Sequence, residues 1–453
     1  MRDPARRLAS WIVDHTDRVI FVTGAVMLVA YLTAIGLFPK PGGRVVFGDA
    51  THHFVQLRSA VFDRDFDFKN EYMKIYGLER EVPGTEFIFS DPTPTGRVRN
   101  YMPVGPAVLW APLYLLAVGI QFLASFAGLA QPPDGFGRVL QMTPGATGVV
   151  AATLATWLSW KLARRWSDPV SAAVGALAVW FGSSAIYYSL ASPSYSHTAS
   201  MFAMSMFSLH WLSGRREWSI GRAAASGALV GVAALMRWQD VLLLAIPAWE
   251  TLRAPWPWWK RGVAGGATLL VWALVFSPQM AVWQSLYGSW LAMPQGPAFL
   301  QWSSPHLFDV LFSDNHGLFT WTPLVILSVA GLTMFAARHR QFALPLAWLV
   351  LTAWYVNAAV ADWWAGEAFG ARRFLSLFPL FVLGVATWIA RAPVRERRVV
   401  VTLAIVAATL LLLFQYEVFM KGYTAIAPYP KGWFGLWVAR FVVPFRVLTE
   451  LIG

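Results

Sequence analysis

The sequence contains no cysteine, which excludes disulfide bonds, thiolate catalysis and cysteine-ligated metals. Charged residues are scarce as well, at 13% of the chain, whereas 57% of the residues are hydrophobic. So few polar side chains cannot cover the surface of a water-soluble globule. The sequence has no Walker-type glycine loop and no Gly-x-Ser-x-Gly motif, so neither a P-loop ATP site nor an elbow-type serine hydrolase is indicated.

Repeated runs of about 20 apolar residues match the thickness of a bilayer core. We therefore predict an all-α polytopic membrane protein with about 11 transmembrane helices, all in one domain, 1–453. The predicted spans are 19–38, 139–162, 170–190, 195–212, 221–236, 241–252, 262–286, 317–337, 342–360, 374–390 and 399–419. The formal charge of +12 fits Lys and Arg retained on the cytoplasmic side, and no nucleic-acid partner is expected.

The first span follows four arginines, which places the N-terminus in the cytoplasm and the segment 39–138 outside. This start is interpreted as a retained helix, since no small-residue cleavage site follows it. Residues 106–130 look like a further span, but counting them would move every later basic loop outside. We therefore interpret 106–130 as a helix on the outer membrane interface. The tail, 420–453, is predicted to lie at the outer face.

Polar side chains that this topology brings near the outer surface form one candidate group. Its members are Asp49, His52, His53, Tyr101, His197, Arg237, Asp240, His316, Glu367, Arg372 and Arg373. Ionisable groups at membrane depth are costly unless they pair or line a cavity, so a shared polar cavity is predicted. Interfacial anchoring remains the alternative for His197 and Asp240, and an ordinary helix-capping role remains the alternative for Asp49.

Arg372 and Arg373 lie on the side where positive charge is normally depleted, which indicates an anionic partner such as phosphate. A salt bridge with Asp362 or Glu367 is the alternative. The spacing of Asp49, His52 and His53 leaves a divalent cation open, but no metal ligand is assigned.

Several short motifs in this order resemble those of a known superfamily. They are Gly-Asp at 48–49, Asp-x-Asp-Phe-Asp-Phe-x-Asn-Glu-Tyr at 63–72, Tyr-x-Pro-x-Gly-Pro at 101–106, Pro-Ser-Tyr-Ser-His at 193–197, Arg-Trp-Gln-Asp at 237–240, Asn-His-Gly-Leu-Phe at 315–319 and Gly-Ala-Arg-Arg-Phe at 370–374. The chain is similar to the GT-C integral-membrane glycosyltransferases, in particular the aminoarabinose transferases and protein O-mannosyltransferases. Many relatives carry Glu after the aspartate, where Ala50 stands here.

The resemblance implies a polyprenyl-phosphate-linked sugar as donor and a glycan, lipid or protein as acceptor. It also implies a bacterial inner membrane with the site on the periplasmic side. Asp49 matches the family's acidic position and would act as base, with His52 and His53 as competitors for that role. Arg372, Arg373 and Arg237 would then bind the phosphate, and the remaining candidates would bind substrate. A lipid-linked saccharide flippase or other transporter is the alternative function.

Overall fold

The computed structural model describes residues 11–37, 44–77, 89–214, 218–366, 369–421 and 432–452. These residues are mainly helical and contain no β-strand, apart from an isolated antiparallel bridge between Leu300 and Val360. The predicted all-α class is therefore confirmed.

The helices are numbered in chain order. The first, α1 (Thr16–Leu37), precedes the helices of the polar segment, α2 (Asp49–Arg58), α3 (Lys69–Ile75) and α4 (Gly105–Phe126). The middle of the chain holds α5 (Arg138–Arg164), α6 (Pro169–Phe181), α7 (Ala185–Leu190), α8 (Ser196–Gly214), α9 (Ile220–Met236), α10 (Ala245–Arg253) and α11 (Trp258–Tyr287). The last part holds α12 (Asp309–Phe312), α13 (Leu318–Trp321), α14 (Leu324–Arg338), α15 (Ala343–Ala359), α16 (Phe378–Arg391), α17 (Val394–Lys421) and α18 (Gly432–Ile452).

Six helical segments among the described residues are long and apolar enough to cross a membrane. They are Thr16–Ala34, Gly105–Phe126, Trp258–Tyr287, Arg340–Ala359, Arg372–Arg391 and Val394–Phe414. Five of them coincide with predicted spans, and α6, α9 and α14 are shorter apolar helices. The chain thus has the helices of a multi-pass membrane protein, whereas the number of eleven spans stays a prediction.

The remaining segment, Gly105–Phe126, is α4, which the sequence interpretation placed on the membrane surface. Its start lies against the end of α9, where a methyl group on Gly105 would be 2.2 Å from the carbonyl oxygen of Leu235. Further along, the Tyr114 hydroxyl donates to the carbonyl of Gly135, just before α5 begins (2.8 Å). The predicted topology puts the end of α9 and the start of α5 on the outer side. Because α4 contacts both, a helix along that side remains our prediction for it.

Several predicted spans are interrupted or begin differently in the structure. The span 170–190 is divided into α6 and α7 at Gly182, and the span 317–337 into α13 and α14 around Pro323, which has no amide hydrogen to donate. The span 374–390 begins as a 3₁₀ turn, Arg372–Leu377, before α16. The predicted break after Met236 is present, since Arg237 is extended (φ −148°) and a 3₁₀ helix follows it. Local backbone conformations of this kind have no hydropathy signature.

The bundle is centred on α16, which packs against α14, α6, α5 and α8. In an 18-residue window within Arg372–Arg391, 83% of the residues are buried. Apolar side chains gain little from helix association inside lipid, so close van der Waals packing between small residues matters most there. At the α14–α16 contact, a methyl group on Gly331 would lie only 1.8 Å from the carbonyl oxygen of Gly384. Glycine at 331 therefore sets how closely these two helices approach.

The polar segment that contains α2, α3 and α4 has a hydrophobic core of its own. Phe54, Tyr72, Trp110 and Tyr114 are all buried in it, and Trp283 of α11 belongs to the same cluster. Complete burial of one large apolar side chain contributes about 1.5–3 kcal/mol. The cluster therefore fixes α2 against α4 and the end of α11, and α2 begins with Asp49.

The C-terminal tail, predicted as 420–453, forms α18 where it is described. Leu436 and Val443 of α18 pack with Phe414 of α17. Arg440 is buried and donates to the carbonyl oxygen of Thr320 at 2.6 Å. Trp321 of α13 contacts Phe369, which lies shortly before Arg372, so α18 packs close to the loop that leads into the turn Arg372–Leu377.

Candidate active site

The position of Asp49 follows from the way α2 begins. Gly48 precedes the helix with φ +57°, a left-handed conformation that favours glycine. Ala50, His53 and Phe54 form the buried face of the helix. The Asp49 side chain retains 30% exposure, and it lies in the first turn, where the helix dipole stabilises a carboxylate.

Asp49 forms an ion pair with Arg372. The Arg372 Nη1 atom lies 2.6 Å from Asp49 Oδ2, and the Arg372 side chain is 10% exposed. Burial raises the pKa of the Asp49 carboxyl, but Arg372, together with His53 and His52, outweighs burial and leaves that pKa below its ordinary value. Asp49 is therefore ionised at neutral pH and held by a cation.

Two more arginines lie beside this pair. Arg373 donates through Nη2 to Asp362 Oδ1 and through Nη1 to the Asp362 carbonyl, both at 2.7 Å. Arg237 donates to the Arg373 carbonyl oxygen. With its amide in the orientation that satisfies both groups, Gln239 accepts from Arg237 Nε at 3.2 Å. The alternative predicted for Arg373, a salt bridge with Asp362, is thus present, while Arg372 pairs with Asp49.

Six of the sequence candidates line one cavity of about 280 Å³: Asp49, Tyr101, His197, Arg237, Arg372 and Arg373. The other lining residues are Met102, Pro103, Ser196, Met236, Trp238, Gln239, Gln295, Phe299, Leu300, Val356, Val360 and Asp362. The three arginines bring positive charge to a space that the two carboxylates only partly neutralise. A cavity of this kind favours an anion together with polar groups.

His197 projects into this cavity from the first turn of α8. The residue is 6% exposed, and among the described residues neither ring nitrogen has a hydrogen-bond partner. Its ring contacts Tyr188 edge-on, with the ring centroids 4.6 Å apart. Buried polar groups are normally satisfied, so this ring is available to a ligand or to water in the cavity.

Two further spaces adjoin the cavity. A small adjoining pocket of about 40 Å³ is bordered by Arg237, Arg373 and Asp240. Beyond it lies an apolar groove of about 630 Å³ between residues 242–249 and 344–356. Val356 borders all three spaces. Asp240 thus lies between the arginines and the groove, and burial raises its pKa to about 7 although Arg237 works against that shift.

The remaining candidates lie outside the cavity lining. His52 bonds the Tyr72 hydroxyl through Nδ1 at 2.6 Å, and His53 is fully buried with its Nδ1 2.9 Å from the Pro103 carbonyl. His316 contacts the Trp364 carbonyl through Nδ1 at 2.7 Å. Burial lowers the pKa of His53 and of His316 to about 4, so both are neutral and fixed by a backbone carbonyl. Glu367 lies outside the described residues.

Sequence reasoning did not single out Tyr195, Gln239 or Gln295. The Tyr195 hydroxyl lies against Gly48, and its ring faces Arg372, with Arg372 Cζ 5.7 Å from the ring centroid. Tyr195 comes two residues before His197 in the sequence, but only the fold shows that its hydroxyl reaches the start of α2. Gln239 lies in the 3₁₀ helix Trp238–Leu244 and Gln295 in a turn, and no sequence pattern indicates which way either side chain points.

No group of three His, Asp or Glu side chains in the described part of the chain is placed to hold a metal ion. The cation left open at Asp49, His52 and His53 has little support from their placement, because His53 is directed at Pro103 and away from the cavity lining.

Comparison with known proteins gave one solved structure of note. ArnT from Cupriavidus metallidurans, bound to undecaprenyl phosphate, is similar over 94% of this chain and 72% of its own, with 15% identity and a TM-score of 0.46. No protein-family model and no curated protein sequence matches the chain.

Proposed function

We propose that the protein is a glycosyltransferase of the GT-C type that transfers a sugar from a polyprenyl-phosphate donor to an acceptor hydroxyl at the outer face of the bacterial inner membrane. The observation that carries the proposal is the adjacency of three spaces that share lining residues. A carboxylate and three arginines line one cavity, a small pocket adjoins that cavity, and an apolar groove adjoins the pocket. A molecule with an anionic head and a long apolar tail fits this arrangement.

The donor's phosphate would bind at Arg237, Arg372 and Arg373, with His197 donating a further hydrogen bond. Guanidinium groups match phosphate oxygens in geometry and are always charged. The polyprenyl chain would lie in the groove between α10 and α15, where Trp249 and Trp348 form part of the wall. Asp240 is placed where the head and the tail of such a donor meet.

The acceptor would enter past Tyr101, which is 37% exposed and lies in the cavity wall but not in the wall of the groove. Its hydroxyl oxygen attacks the anomeric carbon and forms the new C–O bond. The bond from the anomeric carbon to the phosphate oxygen breaks, and polyprenyl phosphate leaves with the electron pair. The hydroxyl proton passes to the Asp49 carboxylate. The arginines stabilise the charge on the departing phosphate, so this leaving group needs no proton.

Binding of undecaprenyl phosphate to the purified protein in nanodiscs is the first test, with undecaprenol as the control that has the same tail and no phosphate. We expect tight binding of the first and weak binding of the second. Equal affinity for both would contradict a phosphate site.

Transfer is tested with labelled undecaprenyl-phosphate sugars and a panel of glycan, lipid and peptide acceptors. Formation of a glycosylated acceptor with release of undecaprenyl phosphate is the expected result. Movement of the intact donor between leaflets without any transfer would instead establish the transporter that the sequence left as the alternative.

A further inference from the structure

Tyr195 lies beside the Asp49–Arg372 ion pair. Its hydroxyl lies against Gly48, the residue that directly precedes Asp49 and the first turn of α2. Its ring faces the guanidinium of Arg372, with Arg372 Cζ 5.7 Å from the ring centroid. A single side chain thus reaches the carboxylate-bearing helix and the arginine, which are far apart in the sequence.

Gly48 provides the space in which the Tyr195 hydroxyl lies. A methyl group built at position 48 would be 2.2 Å from Tyr195 Oη, well inside contact distance. Gly48 also has φ +57°, so glycine at this position serves both the backbone turn and the close approach of the hydroxyl. The start of α2 and the tip of Tyr195 therefore depend on each other.

The ring of Tyr195 is held in turn by its aromatic neighbours. The Tyr188 ring lies 5.8 Å away and the His197 ring 6.3 Å away, between centroids. Tyr188 is itself anchored, because its hydroxyl accepts from the amide of Phe369 at 3.1 Å. Tyr195 is thus a fixed support in the wall behind the ion pair.

We propose that Tyr195 is a positioning residue for the transfer reaction, holding the first turn of α2 in place while Arg372 moves from Asp49 to the donor phosphate. This inference rests on the proposed function. In the complex, the hydroxyl keeps Asp49 aimed at the acceptor, and the ring keeps Arg372 on the cavity wall by a cation–π contact. The geometry of base and phosphate site is then preserved when their mutual ion pair opens.

The experiment separates the hydroxyl from the ring. Tyr195→Phe should lower kcat by about 10-fold to 100-fold, the effect expected when a reacting group is slightly misplaced, with unchanged affinity for undecaprenyl phosphate. Tyr195→Leu should lower kcat and also weaken undecaprenyl phosphate binding several-fold, because Arg372 loses its support. Tyr114→Phe is the matched control, since it removes a buried hydroxyl that bonds Gly135 away from the cavity. It should leave both quantities unchanged.

A double-mutant cycle provides the second readout. Gly48→Ala should lower kcat because its methyl group overlaps the hydroxyl, and combining it with Tyr195→Phe should cost less than the two separate losses together. Additive losses, or a parent-like kcat for Tyr195→Phe, would overturn the positioning role while leaving the proposed function intact. A parent protein that binds undecaprenyl phosphate no better than undecaprenol would overturn both.

Discussion

Asp49 and Arg372 lie 323 positions apart in sequence, and their side chains form an ion pair of 2.6 Å inside the cavity. The pair joins the proposed base to one of the proposed phosphate ligands. A donor phosphate that binds Arg372 therefore competes with Asp49 for the same guanidinium. Donor binding would free the carboxylate for the acceptor, which favours an order in which the donor binds first.

The first prediction concerns Asp49 itself. Asp49→Asn should lower the transfer rate by at least about 10²–10⁴-fold, because a general base supplies that order of acceleration. Undecaprenyl phosphate should bind more tightly to the variant, since Arg372 no longer has a competing carboxylate. Asp67→Asn, which changes an exposed carboxylate of the same outer segment, is the control and should behave like the parent. If the Asn variant keeps its rate while His52→Ala or His53→Ala is inactive, the base is a histidine.

The second prediction concerns pH. Asp49 acts as a base only when ionised, so the rate falls as the pH drops through the pKa of its carboxyl. Burial raises that pKa, but Arg372 and the two histidines keep it below the ordinary value in the free protein. When the negatively charged donor binds Arg372, the pKa of the Asp49 carboxyl should rise again. The acid limb of kcat should therefore lie at higher pH than that of kcat/KM for the donor.

The arginine itself provides the control for this pH effect. Arg372→Gln should move the acid limb of kcat/KM upward, towards that of kcat, since burial then acts on Asp49 with less opposition. Identical acid limbs for both quantities in the parent would show that donor binding does not change the environment of Asp49.

The third prediction concerns the phosphate site. Arg372 and Arg373 are largely buried, with side chains 10% and 16% exposed. Replacing both with Gln should weaken undecaprenyl phosphate binding by roughly ten- to a hundredfold or more, because one charged hydrogen-bonded contact contributes about 1.5–3 kcal/mol. Undecaprenol binding should be unaffected. Arg440→Gln is the matched control, a buried arginine bonded to backbone carbonyls outside the cavity, and it should lower thermal stability without changing the preference for phosphate. Unchanged phosphate affinity in the double variant would remove both arginines from the site.

The fourth prediction concerns the apolar groove. Ala347 lies in its wall on α15 and is exposed, so Ala347→Trp should fill part of the groove without disturbing the core. We expect weaker binding of undecaprenyl phosphate and little change for a short-chain prenyl phosphate, whose tail does not extend along the groove. Leu403→Trp on α17, at a position that is 61% exposed and borders none of the three spaces, is the control. Equal losses for long and short tails would place the lipid elsewhere.

The fifth prediction concerns topology. A reporter fused after Ala130 should be periplasmic, and a reporter fused after Arg165 should be cytoplasmic, as the basic loops require. Activity of an alkaline phosphatase fusion at each position measures this directly. A cytoplasmic reporter after Ala130 would make α4 a true span and reverse the side assigned to every later loop.

The sequence alone determined the all-α, multi-pass class of the fold and predicted most of the residues that line the cavity. Apolar runs of bilayer length predict helices, and the hydrophobic periodicity of such runs is a local property of the chain. Ionisable residues are rare in this chain, and at membrane depth they are costly unless they pair or line a cavity. The few that occur near the outer side of the predicted topology could therefore be selected as candidates. Asp49, His197, Arg237, Arg372 and Arg373 were all candidates on that ground.

Only the tertiary structure decided how these residues are paired. Arg372 and Arg373 are neighbours in sequence, yet one contacts Asp49 and the other Asp362, because the 3₁₀ turn at 372–377 directs adjacent side chains differently. The tertiary structure also distinguished two of the histidines. His197 lines the cavity, whereas His53 is buried against Trp110 in the core of the polar segment. Such distinctions depend on contacts between distant segments, as when Tyr195 reaches the space left by Gly48. No local pattern encodes those contacts, since they arise only when the helices pack.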